Sequence, residues 1–184
     1  MNSDVHFITK YFPYRVNGIQ NPLFQSSKAS KLLLDLKEPN NLNHQNSINY
    51  FTRGLLNKFT ELKVDKSVEY LATAIPSSTI GNEKSGLLSI LKNLKQQGYQ
   101  VHVIPDLLVR NSSVPPLHKG GNRDISIHLA TISVTAKHIK KGDRVILLDD
   151  IGSTGNSMRA CSQLLYLNGA LEVLQIAIGK TSYE

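Results

Sequence analysis

Thirteen residues, Val145-Ile146-Leu147-Leu148-Asp149-Asp150-Ile151-Gly152-Ser153-Thr154-Gly155-Asn156-Ser157, constrain this chain more than any other stretch. The apolar run reads as a short buried strand with two acids at its carboxyl end, and a turn of small residues then opens an amphipathic helix. Ser153, Thr154 and Gly155 let the backbone curl so that successive N–H groups converge on one anion, and a helix starting near Asn156 adds its positive end. Carboxylates beside such a cradle are unfavourable unless they hold hydroxyls or a cation. A sugar phosphate with a free diol meets that condition. An ordinary strand-to-helix turn capped by Asp and Ser would use the same residue types, but the ordered string is far rarer than a lone Asp-Asp or Ser-Thr-Gly.

The rest of the chain can be laid out around this turn. Ser67 to Ile75 reads as a second strand that ends in the polar turn Pro76-Ser77-Ser78-Thr79, and Gly86 to Leu94 then has apolar residues at helical spacing. Gly81-Asn82-Glu83-Lys84-Ser85 is not a P-loop, because Glu83 occupies the second glycine position. Gln100 to Ile104 reads as another strand, followed by Leu107 to Arg110. Asn111 to Arg123 is polar and rich in Pro and Gly, the composition of a lid or a disordered segment. His118, His128 and His138 recur at a spacing that fits neither a helix face nor a metal-ligand pair. The single cysteine, Cys161, follows the motif on the same helix and reads as core.

The motif resembles the phosphoribosyl-diphosphate (PRPP) signature of the type I phosphoribosyltransferases. That resemblance implies that Asp149 and Asp150 hold the ribose 2′ and 3′ hydroxyls, while Ser153, Thr154, Gly155, Asn156 and Ser157 take the 5′-phosphate. Gly152 stands where the family usually has an apolar residue, a departure expected to loosen the turn. The family's diphosphate loop follows a strand equivalent to Ser67–Ile75, which implies diphosphate donors at Ser77, Ser78 and Thr79 with Lys84 nearby. A family lid that closes over PRPP implies leaving-group contacts from Arg110, Lys119 and Arg123. Mg2+ is implied as cofactor, held mainly by substrate oxygens and water, with no direct protein ligand. Ser153 occupies the position where hypoxanthine-guanine enzymes carry an acid for the purine N7, so 6-oxopurine salvage is disfavoured.

Within the family the chain is most similar to the ComF-like branch, through Lys31-Leu32-Leu33-Leu34-Asp35-Leu36-Lys37, Leu108-Val109-Arg110, Arg123 and the motif followed by Leu164 to Ala170. ComF proteins commonly begin with a cysteine-rich zinc segment, and Met1 to Gln25 has no cysteine. The resemblance implies a competence-type role or a toxin paired with an antitoxin in anti-phage defence, hence a protein partner, and a homo-oligomer is left open.

Charge and length set the remaining bounds. A net charge of +7 calls for anionic partners. PRPP and diphosphate satisfy it, with nucleic acid secondary, since Lys137 to Lys141 has no interleaved aromatics and reads as a solvated helix end. No apolar run is long enough for a membrane span and no cationic-then-apolar leader is visible, so a cytoplasmic address is expected. The expected fold is α/β: about five mostly parallel strands flanked by helices, with residues 1–66 as a helical hood segment (Lys28 to Phe59) and residues 67–184 as the transferase core. Function is expected to be phosphoribosyl transfer to an unidentified base or other small nucleophile, with PRPP or nucleotide hydrolysis and a non-catalytic PRPP sensor or nucleic-acid-associated protein as alternatives. Aromatics such as Tyr11, Phe12, Tyr14 or Phe51 lining a base pocket would favour transfer.

Overall fold

The computed structural model describes residues 4–81, 84–114 and 124–184. A central sheet of five parallel strands runs in the order β1 (His6–Tyr11), β9 (Glu172–Thr181), β8 (Arg144–Gly152), β4 (Tyr70–Ala74) and β5 (Val101–Val103). Between β1 and β4 come a small hairpin, β2 (Arg15–Val16) with β3 (Ile19–Gln20), and the helices α1 (Pro22–Ser26), α2 (Lys28–Asp35) and α3 (His44–Glu61). The expected helical stretch from Lys28 to Phe59 is therefore two helices. Glu38-Pro39-Asn40-Asn41 separates them, as proline disfavours helix both at its own nitrogen and in the preceding residue.

The strands bury both faces, which is why β8 reads as a continuous apolar run. Ile146 and Leu148 face a core formed by Leu33 of α2, Phe51, Leu55 and Phe59 of α3, and Leu87, Ile90, Leu91 and Leu94 of α4 (Ser85–Gln96). Val145 and Leu147 face the opposite way, onto Met158, Cys161 and Leu165 of α6 (Asn156–Leu167) and onto Leu108 and Ile132. The latter two belong to a second, antiparallel pair, β6 (Leu108–Arg110) with β7 (Ile132–Val134), which is followed by a short 3-10 turn at Ala136–His138. Helix α5 (Ile125–Thr131) leads into β7.

This winding decides where a ligand fits. From β4 the chain crosses through α4 to β5 on one side, whereas from β8 it crosses through α6 to β9 on the other. The carboxyl ends of β4 and β8 thus flank the switch point, where the outgoing loops diverge and leave a crevice.

The first strand was not foreseen. His6-Phe7-Ile8-Thr9-Lys10-Tyr11 is a β-prone run, and it pairs in parallel with the far end of the chain, Phe7 opposite Ala177. Its Phe7 ring explains the unusual Gly152: a Cβ there would stand 2.7 Å from Phe7 Cε1. Gly152 remains within β8, and the ring fills the space a side chain would take.

Candidate functional site

A cleft of about 390 Å³ opens at the switch point, lined among others by Ser77, Ser78, Lys84, Arg110, Asp149, Asp150, Ser153, Thr154, Gly155 and Ser157. Strand β8 delivers the two acids. Asp149 is buried, and its Oδ1 accepts the Asp150 N–H at 2.9 Å, while Asp150 Oδ1 accepts the Ile151 N–H at 2.9 Å.

Two carboxylates this close and this buried require cations. Lys84 Nζ donates to Asp149 Oδ1 at 2.6 Å and to Asp150 Oδ1 at 3.1 Å, and Lys37 Nζ lies 2.8 Å from Asp150 Oδ2. Lys37 comes from the residues just after α2. Gly86 makes this approach possible, because a Cβ there would lie 2.6 Å from the Leu36 carbonyl oxygen; the α2 and α4 termini can therefore touch and bring both lysines to the acids.

The electrostatics divide the pair. Burial pushes the Asp149 carboxyl up to about 6; Lys84 opposes that shift and the Asp150 charge adds to it. Burial acts on Asp150 in the same sense, but Lys84 and Lys37 outweigh it and hold Asp150 well below the usual carboxylate range. Burial alone would lower Lys84, yet the attraction of Asp149 and Asp150 keeps its ammonium above the ordinary lysine value.

The turn after β8 has the form expected of an anion cradle. Gly155 adopts φ +74°, the left-handed conformation that glycine tolerates, and α6 begins at the next residue. Arg159, which sequence reasoning did not single out, braces the turn: its Nη2 donates to the Thr154 carbonyl at 3.2 Å and to Asn156 Oδ1 at 2.6 Å. Asn156 is thus engaged by Arg159, while Ser153, Thr154, Gly155 and Ser157 line the cleft.

The facing turn carries Ser77 and Ser78 into the lining; Thr79 is outside it, and its N–H donates to Ser77 Oγ at 3.4 Å, so Ser77 caps the turn. Arg110 sits on β6, not on a loop. It is buried, its Nε donates to the Ser77 carbonyl and its Nη1 donates to Thr131 Oγ1 at 2.7 Å, so it ties the Ser77 turn to α5. Lys119 and Arg123 lie outside the described residues.

His128 was missed as well. It is buried in the cleft wall with Nε2 3.3 Å from Ser157 Oγ. No local pattern marks it, since α5 is short and its register on the site depends on the β6–β7 pair. Of the aromatics whose presence in a base pocket would favour transfer, Phe51 is fully buried in the core, and Tyr11, Phe12 and Tyr14 are not in the lining; Phe7 is. Cys161 is buried, and burial pushes its thiol up to about 12, consistent with a core role.

Neither a protein-family model nor a curated protein sequence matches the chain. Solved structures do. An adenine phosphoribosyltransferase superposes with a TM-score of 0.50 at 15% identity, over 76% of this chain and 72% of that one. The chain has a phosphoribosyltransferase fold. An adenine phosphoribosyltransferase from Leishmania tarentolae gives a TM-score of 0.46 at 16% identity, covering 83% of this chain and 73% of that chain, and a hypoxanthine phosphoribosyltransferase from Staphylococcus aureus gives 0.42 at 11%, covering 83% and 76%.

Residues able to hold a metal can be judged against this phosphoribosyltransferase fold. Among the described residues no group of three or more His, Cys, Asp or Glu side chains converges, and the acid pair is already balanced by two ammonium groups. No helix among the described residues is long and apolar enough to cross a membrane.

Proposed function

We propose that this chain transfers ribose 5-phosphate from PRPP to a small nucleophile and releases diphosphate. One observation carries the reading: a single cleft at the switch point combines an acid pair, a turn with a left-handed glycine at a helix N-terminus and, opposite, a serine turn with a lysine. Each of the three chemical parts of PRPP has a counterpart in it.

In this reading Asp149 and Asp150 accept hydrogen bonds from the ribose 2′ and 3′ hydroxyls. The Ser153–Gly155 turn, the Ser157 hydroxyl and the start of α6 take the 5′-phosphate. Ser77 and Ser78 face the diphosphate with Lys84, while Arg110 holds their turn in place; Thr79 acts through that turn. Lys119 and Arg123 keep the leaving-group role the resemblance implies. Displacement breaks the C1′–oxygen bond, and its electron pair leaves on the diphosphate as the nucleophile's lone pair bonds to C1′. The transition state is oxocarbenium-like, so the protein's contribution is to fix the ribose and neutralise the leaving group. Mg2+ accompanies PRPP as the diphosphate's counter-ion, bound by substrate oxygens and water.

The finer ComF-like reading is supported by Lys37, which the Lys31–Lys37 stretch delivers to Asp150. The same chemistry serves a competence-type or an anti-phage role, each with its own protein partner. Hydrolysis, with water as nucleophile, is the second reading, favoured by the position of Phe51 in the core and of Tyr11, Phe12 and Tyr14 away from the lining. The test is diphosphate release from Mg2+–PRPP by the purified protein, with and without each nucleobase. Base-dependent release supports transfer, base-independent release supports hydrolysis, and none under any condition refutes both.

A further inference from the structure

The lysine assigned to the diphosphate is already engaged by the acids assigned to the diol. Lys84 bridges Asp149 Oδ1 and Asp150 Oδ1, and each of those oxygens also accepts a main-chain N–H. An oxygen with two lone pairs is then saturated. Asp150 Oδ2 is held by Lys37. Ribose hydroxyls seeking either Oδ1 must therefore displace Lys84, whereas Asp150 Oδ2 keeps a second lone pair beside Lys37.

The two lysines are not equivalent in that exchange. The Lys37 side chain is 43% exposed and can pass into water, whereas Lys84 is the less exposed at 21% and is held by both acids. A half-buried ammonium that loses its carboxylates is better received by another anion than left unpaired, since an unpaired charge in such a site is unfavourable.

Resting on the PRPP reading, we propose that Lys84 is an internal competitor for the diol, and that it thereby selects ligands with a diphosphate on the carbon beside the diol. PRPP supplies the receiving anion at C1′ and takes Lys84 off the acids as its hydroxyls enter. Ribose 5-phosphate or a nucleoside monophosphate brings the same diol and 5′-phosphate but no anion at C1′, so Lys84 opposes its binding. The same exchange favours turnover. Once diphosphate has left, Lys84 returns to Asp149 and Asp150 and weakens the hold on the nucleotide product.

The experiment measures affinities for PRPP and for ribose 5-phosphate by calorimetry in the wild type, Lys84→Gln and Lys37→Gln, with melting curves for each. The wild type should prefer PRPP, and Lys84→Gln should reduce that preference about 10-fold or more, a coupling of ordinary size, by weakening PRPP while preserving or tightening ribose 5-phosphate. Lys37→Gln should leave the ratio unchanged. A ratio unaltered in Lys84→Gln overturns the inference while leaving the PRPP reading intact. A wild type that binds neither ligand overturns the PRPP reading itself, and the inference with it. Should Lys84→Gln fail to fold, the wild type still decides: inorganic diphosphate should tighten ribose 5-phosphate binding by receiving Lys84, and independence or antagonism between the two anions overturns the inference.

Discussion

Asp150→Asn perturbs the acid pair while changing almost no volume. The Asp150 carboxylate faces Lys84 at 3.1 Å and Lys37 at 2.8 Å, and burial is outweighed by those cations in holding it ionised. Breaking a buried ion pair by removing one partner costs about 3–5 kcal/mol in general. The cost here should fall to about half that or less, because Lys84 keeps Asp149 at 2.6 Å and Lys37 is solvated. In a domain of this size about 1–2 kcal/mol lowers Tm by roughly 2–8 °C, leaving a cooperative fold. Binding should suffer more, since a hydrogen bond from a ribose hydroxyl to a carboxylate is worth about 1.5–3 kcal/mol, a loss of roughly 10- to 150-fold in PRPP affinity. Calorimetric titration with Mg2+–PRPP beside a melting curve measures both. Unchanged affinity in a variant that still melts cooperatively would refute the assignment of the acid pair to the diol.

Three further outcomes follow from the geometry. With its carboxyl pushed up to about 6 from an ordinary 3.8, chiefly by burial, Asp149 keeps a proton in the folded protein that the unfolded chain has released. Its stabilising contribution is complete below pH 3.8 and lost as pH rises through 6; PRPP affinity should fall as pH drops through the same range, and Asp149→Asn should remove both components when Tm and affinity are profiled against pH. Gly152→Val should lower stability by about 1–3 kcal/mol through overpacking against Phe7, and Phe7→Ala in the same chain should recover part of the loss in denaturant titrations. Thr154→Val should weaken PRPP by only about 0.5–1.5 kcal/mol, because the main-chain donors of the turn remain; a loss as large as that of Asp150→Asn in the same titration would contradict the cradle.

What could be read in the sequence was local. The β8 strand, the αL turn at Gly155 and the start of α6 follow one another within a few residues, so hydrophobic run, acid pair and small-residue turn specify them together. The apolar spacing of Leu87, Leu88, Leu91 and Leu94 likewise revealed α4. What escaped depends on distant pairings. Strand β1 is defined by its register with β9 near the other terminus, and Lys37 meets Asp150 only because α2 and α4 touch at Gly86. His128 reaches Ser157 from a short helix whose place is set by the β6–β7 pair. One clue was available for Lys37 and Lys84: two adjacent acids at the end of a buried strand require compensating cations, wherever in the chain those lie.

The central claim is that the cleft between β4 and β8 is a PRPP site, and one titration tests it most directly. Mg2+–PRPP is added to the wild type and to the double variant Asp149→Asn, Asp150→Asn at physiological ionic strength, where nonspecific binding of nucleic acid to a basic protein has largely faded. Saturable binding below about 1 mM by the wild type, abolished in a double variant that retains a cooperative melt, is the predicted result. Absence of saturable binding by the wild type, or equal binding by the two proteins, would contradict the claim.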